Sequence, residues 1–120
     1  MRFALGDLPQ ARRSLGDAVR GETLGEMTGG VLSFPAGTDL CPLLSGLHND
    51  HCQCPHWGYV LEGRIVVTYQ DGSTETVTAG DIYFWPPGHV VRFEEDTRYV
   101  EFSPKSELDP VLDHVAAQMA

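Results

Sequence analysis

The segment HCQCPH, residues 51–56, concentrates four side chains of the types that bind transition metals: His51, Cys52, Cys54 and His56. Thiolate sulfur and imidazole nitrogen together favour tetrahedral Zn²⁺. If the segment is a strand, residues 52, 54 and 56 face one side, because side chains alternate along a strand. Pro55 removes a backbone donor, so we expect an edge or a bulge at this point.

The chain has three cysteines, and their number and spacing argue against a disulfide framework. An odd number is unusual for such frameworks, and the single residue between Cys52 and Cys54 gives poor geometry for a bond between them. Metal binding or redox chemistry suits this pair better. Core packing stays open as the alternative, since free cysteine behaves as a small hydrophobe, and we predict a core position for Cys41.

The charge of the chain restricts the partners that it can bind. Eight basic residues against 17 acidic ones give a formal net charge of −9 at pH 7. Nucleic acids and anionic membranes require clustered Lys and Arg, so we expect neither as a partner and keep a small-molecule ligand as the candidate. The sequence contains no run of 18 apolar residues and no long apolar region at its N-terminus. We therefore expect a cytoplasmic protein.

Short apolar stretches between turn residues indicate an all-β fold in a chain of one-domain length. The clearest pair is RIVVTY at 64–69 and TETVT at 74–78, which Asp71-Gly72 joins as a hairpin. The stretches DIYFW, HVVRF and YVEF follow, and PAGTDL and PLLSGL before the cysteines also resemble strand pieces. Strands at this regular spacing predict an antiparallel sandwich or barrel over residues 27–104.

Helical segments are expected on both sides of this barrel. Asp7 caps a predicted short helix that ends near Gly21, within a helical or extended segment of residues 1–26. Asp109 and Pro110 mark the start of a second helix in residues 105–120, where apolar residues repeat at helical spacing. An apolar terminal helix on a small barrel favours the pairing of two copies, so we expect a homodimer.

The stretch AGDIYFWPPGH resembles the second sequence motif of the cupin superfamily, which consists of small β-barrels of the jelly-roll type. The motif has the form G-x5-P-x-G-x2-H-x3-N, and Gly80, Pro86 and Gly88 are in register with it. The motif histidine falls on Val91. His89 lies two residues earlier, on the same face of a strand, and can point to the same interior.

The stretch GYVLEG resembles the end of the first cupin motif, G-x5-H-x-H-x3or4-E-x6-G, with Gly63 as its last residue. Counting back from Gly63 places the motif glutamate on His56. Counting forward from the motif's first glycine places Cys52 and Cys54 where the family has two histidines. Counting back from His56 with the longer spacing places His51 at the second of them. Both alignments stay open.

The resemblance implies a cupin or jelly-roll β-barrel with short terminal helices and one divalent transition metal ion. The implied ligands are Cys52, Cys54, His56 and His89, with His51 as the alternative to a cysteine. Zinc is the first expectation for sulfur and nitrogen ligands, with iron, manganese and nickel as alternatives. Two functions stay open: an enzyme that uses the ion as a Lewis acid, and a non-catalytic sensor or structural zinc module.

Glu101 is an acidic residue inside the apolar stretch YVEF. An acid in such a place faces solvent by default. If its strand face is the inner one, it becomes a candidate acid–base group or a hydrogen-bond partner of a metal ligand.

Overall fold

Eight antiparallel strands form two sheets in the computed structural model, which describes residues 1–119. The strands are β1 (Val19–Leu24), β2 (Met27–Phe34), β3 (His56–Glu62), β4 (Arg64–Tyr69), β5 (Thr74–Thr78), β6 (Ile82–Trp85), β7 (His89–Phe93) and β8 (Thr97–Pro104). The order is β1-β2-β8-β3-β6 in the five-stranded sheet and β5-β4-β7 in the three-stranded sheet. The all-β antiparallel fold predicted from the sequence is confirmed.

The predicted hairpin is formed by β4 and β5, which pair from Arg64 opposite Thr78 onward. The carboxylate of Asp71 fixes the turn, because its Oδ1 accepts from the backbone N–H of Ser73 at 2.9 Å and from the Ser73 hydroxyl at 2.6 Å. The other edge of β4 pairs with β7. The hairpin therefore holds β7, which begins at His89, in the three-stranded sheet.

The main hydrophobic core lies between the two sheets, where alternate residues of each strand point inward. Its buried members are Val60, Ile65, Val67, Val77, Tyr83, Trp85, Val91, Phe93 and Tyr99. Full burial of one large apolar side chain stabilises the fold by about 1.5–3 kcal/mol. A second buried cluster contains Cys52 and Cys54 and packs beneath the C-terminal helix. The candidate ligands thus lie beside the core.

The N-terminal segment differs from the helix predicted to end near Gly21. Two short 3-10 helices occur instead, at Leu5–Asp7 and Arg13–Ala18, and Gly16 interrupts the second with a φ of 57°. From Val19 the chain is β1, paired along its whole length with β2. The ladder of hydrogen bonds to β2 outweighs the weak helical propensity of this stretch, which a sequence pattern does not reveal.

The connection between β2 and β3 contains no strand, although PAGTDL and PLLSGL resemble strand pieces. Two 3-10 helices lie here, Cys41–Leu44 and His48–Asp50. Pro42 lies in the first turn of the former, where a missing N–H is tolerated. Asp39 Oδ1 accepts from the backbone N–H of Cys41 at 2.9 Å. Cys41 is exposed, so its predicted core position is wrong.

The C-terminal helix α1 spans Lys105–Met119 and begins four residues before the predicted cap at Asp109. β8 continues into it without a linker, and Lys105 pairs with Asp109 at 2.9 Å one turn later. Pro110 lies inside the helix, and Ala120 lies outside the described residues. No helix within residues 1–119 has both the length and the apolarity needed to cross a membrane.

Candidate metal centre

Three buried side chains, Cys52, His56 and His89, bring their ligand atoms together. Sγ of the cysteine and one ring nitrogen of each histidine lie within 4.8 Å of one another. Sγ of Cys52 is 3.5 Å from Nε2 of His56, and the centres of the two imidazole rings are 5.0 Å apart. Zinc binds sulfur and nitrogen at about 2.0–2.3 Å. Small side-chain rotations are therefore enough to place the three atoms around one ion.

Backbone hydrogen bonds to the start of β7 hold Cys52 in place. Its N–H donates to the carbonyl oxygen of His89 at 2.8 Å, and its own carbonyl accepts from the N–H groups of Gly88 and His89 at 2.7 and 3.2 Å. Gly88 has a φ of 91°, a conformation that favours glycine, and any side chain there would collide with Gln70. This bridge brings a loop cysteine beside a strand histidine.

His56 is the first residue of β3, and its imidazole is oriented by two residues of β8. Its Nδ1 lies 2.6 Å from the hydroxyl oxygen of Ser103 and 3.6 Å from Oε2 of Glu101. When Nδ1 carries the proton and donates to the Ser103 hydroxyl, Nε2 presents its lone pair toward Cys52. Hydrogen bonding of the distal ring nitrogen is typical of histidines that ligate metals.

His89 is oriented in the same manner by a backbone carbonyl. Its Nδ1 lies 2.8 Å from the carbonyl oxygen of Pro86. Because a carbonyl only accepts, Nδ1 carries the proton and Nε2 keeps its lone pair. The ring is 2% exposed and packs against the indole of Trp85, with ring centres 5.6 Å apart. Both imidazoles are thus prepared to bind through Nε2.

Burial sets the protonation states of these side chains before an ion binds. It lowers the pKa of His56 well below its ordinary value and the pKa of His89 to about 4. Both imidazoles are therefore neutral, and able to bind metal, at neutral pH. Burial also raises the pKa of the Cys52 thiol to about 12, so the sulfur is protonated without an ion. The donor set fits a transition metal that displaces one proton.

Glu101 faces the interior of the barrel. The sequence makes it a candidate acid–base group or a partner of a metal ligand in that orientation. Its Oε1 accepts from the hydroxyl of Tyr83 at 3.0 Å, and burial raises its pKa to about 8. Since burial also lowers the pKa of His56, the two groups face each other mainly in their uncharged forms near pH 7. Their contact at 3.6 Å is therefore polar and not an ion pair.

Cys54 and His51, the other candidate ligands, lie outside the group of converging atoms. Cys54 is 1% exposed and belongs to the apolar cluster beneath α1, with Sγ 3.4 Å from the carbonyl oxygen of Pro55. The ring of His51 contacts the carbonyl of Asn49. β3 begins only at His56, so strand alternation does not extend back to residues 52–55. Ligation by Cys54 stays a prediction without geometric support.

The three candidate ligands border a cavity of about 120 Å³. Residues of both sheets, the β2–β3 connection, the 3-10 helix Arg13–Ala18 and α1 line it. An ion held by Cys52, His56 and His89 would have this cavity on its remaining side. Catalytic zinc sites have this form, with three protein ligands and one open position.

Ser103 is the site residue that the sequence analysis did not identify. It is 1% exposed, lies two residues after Glu101 on β8 and contacts His56 from 47 positions away. The sequence could have indicated Ser103 through Glu101, because residues two apart on a strand point to the same face. Nothing in the local sequence indicates which strand His56 faces.

Residues 30–102, more than half of the chain, match the sequence profile of a family described as Cupin domain. The chain belongs to the cupin family. The two antiparallel sheets agree with this assignment, and the two candidate histidines are the first residues of β3 and β7. The search of curated proteins found no significant match to this cupin.

Solved structures with the same fold include a protein of unknown function and a protein described as a member of the cupin superfamily. A protein of unknown function from Rhizobium leguminosarum is 27% identical, with a TM-score of 0.62 over 86% of this chain and 94% of its own. A cupin superfamily protein from Desulfitobacterium hafniense is 17% identical, with a TM-score of 0.56 over 85% and 98% of the two chains.

A third similar structure carries a name that points to a metabolic role for that protein. It is a putative ethanolamine utilization protein from Salmonella typhimurium, 19% identical, with a TM-score of 0.54 over 72% of this chain and 68% of its own. At this identity the likeness shows the shared fold alone. The chemistry of this cupin has to be argued from its own site.

Proposed function

We propose that this cupin binds one divalent transition metal ion, zinc first, through Cys52, His56 and His89, and acts as a metal-dependent enzyme on a small molecule. The observation that carries the proposal is the convergence of three buried ligand atoms within 4.8 Å at the wall of a cavity. A bound ion there would act as a Lewis acid toward an oxygen atom of the small molecule or of water. In this arrangement Cys54 is not a fourth ligand, and one coordination position of the ion stays open.

The residues around the ligands support this arrangement. Ser103 holds Nδ1 of His56, and the Pro86 carbonyl holds Nδ1 of His89, so both rings are oriented before an ion arrives. Such outer contacts orient ligands and typically contribute 10- to 100-fold in metal affinity. Near pH 7 a largely protonated Glu101 beside the site is also a candidate proton donor.

The open position is tested with protein in which cobalt replaces the ion. We expect a thiolate-to-cobalt absorption band that is lost in Cys52→Ser and retained in Cys54→Ser. Added azide should shift the visible spectrum if one coordination position is open. An unresponsive spectrum that loses its sulfur band in either variant would instead support the alternative, a structural site closed by both cysteines.

Metal binding is expected to release one proton per chain near neutral pH. The reason is that the pKa of the Cys52 thiol is raised to about 12, whereas the pKa of His89 is lowered to about 4 and that of His56 also lies below its ordinary value. The apparent affinity should therefore rise about tenfold for each pH unit between about pH 6 and 9. Calorimetry in buffers of different ionisation enthalpy measures the released protons. Binding without proton release would exclude the thiolate as a ligand.

The outer face of the five-stranded sheet supports the expected homodimer. Large apolar side chains that belong to β3, β6 and β8 are exposed there by 37–83% and form one patch: Trp57, Tyr59, Leu61, Ile82, Phe84 and Phe102. Trp57 and Phe84 stack with ring centres 5.1 Å apart. At 150–250 Å² for a whole aromatic side chain, the patch exposes about 500 Å². Two copies would bury about 1,000 Å², close to the minimum expected of a biological interface.

We propose that a second copy of this chain covers this apolar patch. β6 forms one edge of the five-stranded sheet, so a two-fold axis beside it brings the two patches together. Ile82→Lys, at the most exposed position of the patch, should shift the mass in light scattering from twice 13.2 kDa to 13.2 kDa. The matched control is Glu75→Lys on β5, outside the patch. A wild type that is monomeric at all concentrations would contradict the proposal.

A further inference from the structure

We infer that the cavity beside the metal centre takes a neutral, largely apolar small molecule with a single oxygen acceptor. This inference rests on the metal-dependent function proposed above, because the oxygen is assigned to the side of the cavity that holds the candidate ligands. Three properties of the cavity support it: its size, its apolar walls and the absence of cationic side chains from its lining.

The size of the cavity suits a ligand with the bulk of one small ring. Its volume is about 120 Å³. An engineered apolar cavity of about 150 Å³ in another protein binds benzene. A molecule with the bulk of one six-membered ring therefore fits, whereas a nucleotide, a cofactor of that size or an oligosaccharide does not.

The walls of the cavity are almost entirely apolar. Leu32, Phe34 and Val91 line it from the sheets, and Leu44, Leu112 and Val115 line it from the connection and from α1. Hydroxyl groups placed against these side chains would lose their hydrogen bonds to water without replacement, which is costly. A sugar or polyol is thereby disfavoured even where its ring would fit.

The charges around the cavity disfavour an anionic ligand. Among the residues described as lining it there is no Lys or Arg, and Glu101 is the acidic one. A carboxylate or phosphate could pair only with the bound ion, because the lining offers no cationic side chain for its remaining charge. A carbonyl oxygen needs no such partner, since a metal ion or an N–H group satisfies it.

One hydrogen-bond donor beside the candidate ligands lacks a partner. The indole Nε1 of Trp85 is the buried side-chain nitrogen or oxygen within residues 1–119 that makes no hydrogen bond. Trp85 lines the cavity, and its ring centre lies 6.2 Å from that of His56 and 5.6 Å from that of His89. This N–H has almost no surface open to the cavity, so the ligand oxygen is assigned to the open coordination position of the ion.

The test uses three molecules with the same ring size on zinc-loaded protein. They are cyclohexanone, cyclohexanecarboxylate and inositol. The chain has two tryptophans, so Trp57→Phe leaves Trp85 as the reporter of the cavity. We expect cyclohexanone to change the Trp85 fluorescence saturably, the carboxylate to bind at least tenfold more weakly and inositol not to bind. Equal or tighter binding of the carboxylate or of inositol would overturn the inference.

A pair of variants on α1 locates the binding. Val115 lines the cavity and Ala117 is exposed on the same helix. Val115→Phe should reduce the affinity for cyclohexanone at least tenfold with the zinc content unchanged, and Ala117→Phe should have no effect. If the protein binds zinc but not cyclohexanone, the inferred ligand class is wrong and the proposed metal site is unaffected. If the purified protein binds no zinc, the proposed function is wrong, regardless of what the cavity binds.

Discussion

Replacing His56 with alanine is expected to remove the bound ion from the purified protein. Nε2 of His56 lies 3.5 Å from Sγ of Cys52, and its Nδ1 is held by Ser103, so this imidazole links the other ligands to the supporting residues. Changes around a ligand cost about 10- to 100-fold in affinity. Loss of a ligand itself should cost more, and metal content should fall from one ion per chain to a trace in elemental analysis.

The two buried cysteines supply a matched control for this result. Cys52→Ser and Cys54→Ser make the same chemical change two residues apart, but only Cys52 belongs to the converging group. We expect Cys52→Ser to lose most of the metal and Cys54→Ser to keep it. Equal metal content in wild type, His56→Ala and both cysteine variants would refute the site. If the protein binds iron and its iron content is unchanged in both cysteine variants, the ligands would instead be His51, His56 and His89.

Replacing Glu101 with glutamine is expected to stabilise the metal-free protein, and by more at pH 8 than at pH 5. Burial raises the pKa of Glu101 in the folded state from 4.5 to about 8. The folded state therefore holds a proton that the unfolded state releases, and the free energy of unfolding falls as pH rises through this window. Glutamine has no such proton. Each pKa unit corresponds to about 1.4 kcal/mol, so the difference should reach a few kcal/mol at pH 8.

Denaturant unfolding at several pH values, with chelator present, measures this difference. His56 and His89 destabilise the folded state below their ordinary pKa of 6.5, because burial keeps them neutral. That effect occurs in both proteins and largely cancels in the comparison. Glu62→Gln, at an exposed position at the end of β3, is the control and should give no pH-dependent gain. A gain for Glu101→Gln that is the same at pH 5 and pH 8 would show that the carboxyl is not perturbed.

The barrel could be predicted from the sequence because its signals are local. β4 and β5 show β-branched residues and an Asp-Gly turn, and the side chain of Asp71 closes that turn on Ser73. β1 could not be predicted, since its partner β2 determines its conformation and the segment before Gly21 has helical composition. Local sequence patterns therefore predict strands correctly where turn residues such as Asp-Gly mark the ends of the strands.

The candidate site was predictable in its residue types but not in its geometry. Alternation along a strand would place residues 52, 54 and 56 on one face, whereas the strand begins at His56. Backbone hydrogen bonds to His89 hold Cys52 in place, and Ser103 on β8 orients His56. His89 and Ser103 are both far from these residues in the sequence. Such contacts depend on the packing of the whole barrel, so the sequence could not separate Cys52 from Cys54.

The three cysteine side chains of this protein differ strongly in solvent exposure. Cys41 is exposed on a 3-10 helix, whereas Cys52 and Cys54 are buried to 5% and 1% exposure. An oxidant in the surrounding solution reaches Cys41 directly, but it reaches the sulfur nearest the histidines only through the cavity that Cys52 borders. Oxidation of this sulfur is therefore limited by which oxidants fit the cavity, as well as by the reactivity of the thiol.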